Sequence, residues 1–102
     1  MTRLCLQARF CDAEGERVIE LRGQAAKALL ALVAAGPRGC TALEVATWAY
    51  RFAAYCHELR HEHGLAIRTD REEHPGGWHG RHVLETPVEI LCVDGLTSEI
   101  AA

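Results

Sequence analysis

At 102 residues the chain has room for one small domain and not for a second core. Its composition, 49% hydrophobic and 25% charged, is that of a globular protein and excludes disorder as the default. A net charge of −3 is not that of a simple basic nucleic-acid binder. No apolar run reaches the length of about 18 residues that a membrane span needs.

The five cysteines (Cys5, Cys11, Cys40, Cys56 and Cys92) are odd in number, scattered and without a CxxC pair. The N-terminus alternates instead of forming the apolar block of a signal peptide. Together these features predict a reducing, cytoplasmic setting. Charge is uneven along the chain. From Val83 onward the acids Glu85, Glu89, Asp94 and Glu99 meet no lysine or arginine. All six histidines fall between Trp48 and His82, in a segment whose charge rises on acidification.

Arg3–Cys11 alternates, with Leu4, Leu6, Ala8 and Phe10 on one side, as a half-buried strand does. Asp12–Glu16 is turn chemistry, and Arg17–Arg22 resumes the alternation, so the two form a predicted β-hairpin. Gln24–Ala35 is a predicted helix with Ala25, Leu29, Leu32 and Val33 on one face, stopped by Gly36-Pro37. Thr41-Ala42-Leu43-Glu44 is a capping box, in which the threonine and glutamate satisfy each other's free amides at a helix start. The helix that it opens is predicted to run about two turns, to Trp48.

Arg51–His63 is the next predicted helix, closed by Gly64. Phe52, Tyr55, Cys56, Leu59 and His63 form its apolar side, and Arg51, Ala54, His57, Glu58 and His61 lie opposite. Leu65–Glu73 and Arg81–Thr86 are predicted strands around His74–Gly80, whose glycines and proline permit a sharp or mobile loop. Val88–Val93 is an apolar run fit for one more strand.

Strand, strand, three helices and a hairpin is the order of a winged helix-turn-helix. The wording also resembles a family of small bacterial winged-helix proteins, proteobacterial and sometimes phage-linked. Gly23-Gln24-Ala25-Ala26 with Ala28-Leu29-Leu30 and Gly39-Cys40-Thr41-Ala42-Leu43-Glu44 carry the resemblance through the first two helices. Tyr55, Leu59-Arg60 and Gly64-Leu65-Ala66-Ile67 carry it through the third, and Glu73-His74, Gly76-Gly77 and Gly80-Arg81-His82-Val83-Leu84 through the wing. The resemblance implies DNA binding and a transcription-associated role, with the third helix in the major groove and the wing on the backbone or minor groove. By position, Arg51, His57 and His61 would face the groove, and Arg68, Arg71 and Arg81 would serve the wing and its phosphates.

His57-Glu58-Leu59-Arg60-His61 also matches H-E-x-x-H, because histidines at i and i+4 share a helix face and can clamp zinc beside a glutamate. A charged Arg60 inside the motif and the absence of a clear third-ligand motif count against a catalytic zinc site. Trp78 at the wing tip has two readings, stacking on DNA or on a partner, or folding back on the sheet.

The expected protein is an α+β winged helix-turn-helix: N-terminal hairpin, three helices and C-terminal wing. Residues 1–93 form the domain and 94–102 a flexible tail. It is expected to be non-enzymatic, without cofactor or metal, and to bind duplex DNA through Tyr50, Arg51, His57, His61, Arg68, Arg71, Trp78 and Arg81. The alternative is a protein-interaction module or homodimer using Trp78 and the hairpin edge. A metal-dependent hydrolase using His57, Glu58 and His61 is a remote third.

Overall fold

Alternation in the N-terminal segment produces two long strands, β1 (Cys5–Asp12) and β2 (Gly15–Arg22), which pair antiparallel from Cys5↔Arg22 to Asp12↔Gly15 without a break. They belong to a computed structural model that describes residues 4–42, 44 and 51–94. The inward set Leu4, Leu6, Ala8 and Phe10 is buried, as period-two patterning requires, and Ile19 and Leu21 join it from β2.

Helix α1 (Gly23–Ala35) buries Ala25, Ala26, Ala28, Leu29 and Leu32, while Val33, expected on that face, is only half-buried. Its end is set by Gly36, whose N–H reaches the Leu32 carbonyl, and a short 3-10 turn through Pro37 follows. At Gly39 (φ +67°) the chain presses onto the wing. A Cβ there would sit 2.6 Å from the His82 carbonyl oxygen, so glycine permits the approach. The two-residue strand β3 (Cys40–Thr41) then pairs with His82 and Arg81.

The capping box forms as reciprocal bonds: Thr41 N–H donates to Glu44 Oε1 at 2.9 Å, and Glu44 N–H donates to Thr41 Oγ1 at 3.2 Å. Of the short helix expected after it, over 41–48, Thr41 lies in β3 and Ala42 and Glu44 in turn, and residues 43 and 45–48 lie outside the described ones. The described residues hold two α-helices, and the expected total of three is not reached among them.

Helix α2 (Phe52–His63) buries Phe52, Cys56 and Leu59 against α1 and leaves Tyr55 and His63 half-buried. Gly64 ends it in the left-handed conformation, with its N–H on the Leu59 carbonyl. The wing is β4 (Ile67–His74) and β5 (Gly77–Leu84), paired continuously from Ile67↔Leu84 to His74↔Gly77. The loop expected over His74–Gly80 is therefore only the turn Pro75–Gly76. The glycines absorb the reversal, Gly76 at φ 95°, so Trp78, His79 and Gly80 remain in strand.

The apolar run near the C-terminus becomes β6 (Glu89–Asp94), but it does not extend the wing. It crosses back to β1, giving one sheet of order β2-β1-β6 and a second of order β3-β5-β4. The register slips between Gln7 and Ala8, leaving Leu91 as a bulge. The tail expected from residue 94 begins at the last residue of β6, and residues 95–102 lie outside the described ones.

Candidate nucleic-acid interface

The buried stripe of α2 fixes which way its other face points. Ala53, Ala54, His57, Arg60 and His61 are exposed, and the exposed Arg51 forms the N-cap. The His57 and His61 rings lie one turn apart with centroids 4.1 Å from each other, as an i,i+4 pair should. Tyr50, expected beside them, lies outside the described residues.

Arg60 was missing from the residues expected at the interface. At roughly 100° per residue it lies only about 60° around the helix from His57, a signal available in the sequence. Its placement matters because it stands on the flank nearest the wing, where its charge acts on His82 of β5.

Strand alternation divides the wing residues between two faces. Thr69 and His82 lie on the face that packs on α2, with the buried His82 ring edge-on to Phe52 at 5.4 Å and its Nδ1 bonded to Thr69 Oγ1 at 2.9 Å. Arg71 and Trp78 continue that face toward the tip. The Arg71 guanidinium covers the Trp78 ring at 4.8 Å, and Trp78 remains 55% exposed. Arg71 also has the Glu73 carboxylate at 3.7 Å.

Arg68 and Arg81 lie on the opposite face. Arg68 holds Asp70 at 2.8 Å and Glu85 at 3.1 Å. Arg81 is half-buried: its Nε donates to Glu72 at 2.8 Å, and its Nη1 reaches Glu44 and the carbonyls of Arg38 and Gly39, each at 3.4 Å. Arg81 and His79 together hold the Glu72 carboxyl below its ordinary value. Arg81 thus ties the wing to the capping box, a link invisible in the sequence because its partners are far apart along it. The expected set is brought together only in part: Arg51, His57 and His61 share α2, Arg71 and Trp78 extend its side of the wing, and Arg68 and Arg81 face away.

Burial pushes the His82 imidazole below its ordinary value of 6.5, and the Arg60 charge adds to the shift. The unfolded chain then takes up a proton at higher pH than the native protein does. Stability is expected to fall as pH drops below about 6.5, the unfolded-state value, and to stop falling once the lower native value is passed. Urea melts at stepped pH check this, since His82→Gln should flatten that part of the slope. An unchanged slope in the variant would contradict it.

The remaining candidate chemistry is not assembled. Cys40 is buried in β3 and its thiol is pushed up to about 11, while burial takes Cys56 to about 12. Both are core thiols held in the neutral form. In the H-E-x-x-H stretch, Glu58 gathers with Glu62 and His63 within 4.8 Å, apart from the His57–His61 pair. Among the described residues no glutamate joins those two histidines in the arrangement a zinc hydrolase uses.

A family described as a winged helix domain matches residues 18–94, from within β2 to the end of β6. The chain belongs to this winged-helix domain family. No curated protein and no solved structure matches it.

Proposed function

We propose that the protein is a DNA-binding, transcription-associated regulator of the bacterial cytoplasm that reads duplex DNA with α2 and the adjoining face of the wing. One observation carries the reading: the exposed face of α2 presents Arg60, His57 and His61, with Arg51 at its start. Among the described residues neither arginine has a carboxylate within ion-pair reach. Arg71 and Trp78 lie on the same side of the wing and supply a cation and a stacking surface. Arg68 and Arg81 join as phosphate contacts where the backbone passes the other face. Exposed ion pairs such as Arg68–Asp70 are worth roughly 0–1 kcal/mol and yield readily to a phosphate.

Titration with a mixed-sequence duplex should move the amide signals of 51–61 and 68–81, and the effect should weaken with salt. Arg60→Ala should lower the magnitude of the salt slope by about one. An absence of shifts at low salt would sink DNA binding by this domain. The second reading, a protein-docking module, is favoured by the exposed Val18, Trp78, Leu91 and Val93, which lie on the sheet edges and the wing tip.

A further inference from the structure

The first sheet ends in two edges that differ sharply. β6 is short, bulged at Leu91 and acidic at both ends, features that blunt an edge against pairing. β2 is eight residues long, contains no proline, stays in unbroken register with β1 and exposes Val18 at 57%. Among the described residues its outer edge has no strand beside it. β4, the free edge of the wing sheet, is charged at five of its eight positions, with Ile67 as its only buried residue.

We infer that β2 pairs antiparallel with β2 of a second copy of this chain about a two-fold axis through Ile19. This deepens the docking reading by naming the partner and is independent of DNA binding. A two-fold perpendicular to the sheet keeps each side chain on its own face, so the axis must pass through a residue. An axis through Val18 sets Glu16 against Glu20 of the second copy, and one through Glu20 sets that carboxylate against itself. Like charges directly opposite are unfavourable.

An axis through Ile19 sets Glu16 opposite Arg22 of the second copy, and symmetry repeats the pair at the other end. Val18 then lies opposite Glu20, and Arg17 opposite Leu21. Glu16 and Arg22 have side-chain exposures of 62% and 64%. Their pairs within the chain, Arg9–Glu16 at 4.0 Å and Arg22–Glu20 at 3.1 Å, are weak surface pairs that can be exchanged for a partner across the axis. The product is one continuous sheet of order β6-β1-β2-β2-β1-β6.

Sedimentation velocity over a concentration series reads the self-association directly. Wild type is expected to dimerise reversibly. Glu16→Arg or Arg22→Glu alone should weaken the dimer about tenfold or more, since each places like charges together at both ends. The double variant E16R/R22E restores opposite charges and should recover most of the affinity. Circular dichroism verifies that all three remain folded. A wild type that stays monomeric at the highest concentration would overturn the inference. So would a dimer indifferent to the single reversals, or a double variant no better than the singles.

Discussion

A variant beginning at Ala13, and so lacking β1, is expected not to fold, although the family match starts only at Val18. β1 is the middle strand of its sheet, and β2 and β6 reach each other only through it. The deleted segment also supplies Leu4, Leu6, Ala8 and Phe10 to the core, each no more than 3% exposed. Burying each of the three large side chains is worth about 1.5–3 kcal/mol. Domains of this class have a total stability of only about 5–15 kcal/mol. Deletion also strips two strands of their ladder bonds and exposes their apolar faces. Far-UV circular dichroism and thermal melting check the outcome. A cooperative melt near the wild-type midpoint would show that the matched segment is self-sufficient and that β1 is an appendage.

Phe52→Ala is expected to cost about 3–5 kcal/mol, the usual range for removing a buried aromatic ring. Phe52 is fully buried at the first position of α2 and touches the wing edge-on through His82. Its loss would leave a cavity where helix and wing meet, so the damage should appear in the site as well as in stability. Urea melts give the energy, and amide shifts at Thr69 and His82 give the change in wing position. A loss below about 1 kcal/mol with undisturbed wing signals would mean that the wing is held mainly by the Glu44–Arg81–Glu72 chain of bonds. The two outcomes separate apolar from polar anchoring of the wing.

Several parts of the molecule were legible one residue at a time. Alternation from Leu4 to Phe10 marked a strand and its buried face, and the apolar stripe through Phe52, Cys56 and Leu59 marked the inner side of α2. Gly36 and Gly64 marked the helix ends, and the Thr41–Glu44 bonds formed as the capping box predicted. The wing tip was misjudged because glycine content measures conformational freedom and not loop length. Val88–Val93 was recognised as a strand, but its apolar pattern carries no record of which edge it will join.

By itself the sequence determined the type of most elements, most of the buried faces and the winged-helix character of the domain. Each of these depends on neighbours within a turn of helix or a step of strand. The tertiary structure decided what depends on partners far along the chain. β6 joins β1, with Arg9 bonded to Glu89 across 80 residues. Arg81 is drawn into Glu72 and Glu44 instead of standing free, and His82 is buried against Phe52. Arg68 and Arg71, three residues apart in one strand, face opposite ways by alternation alone. That Arg71 shares the face packed on α2 and Arg68 does not was decided by how the wing sits on the helix, with His82 against Phe52.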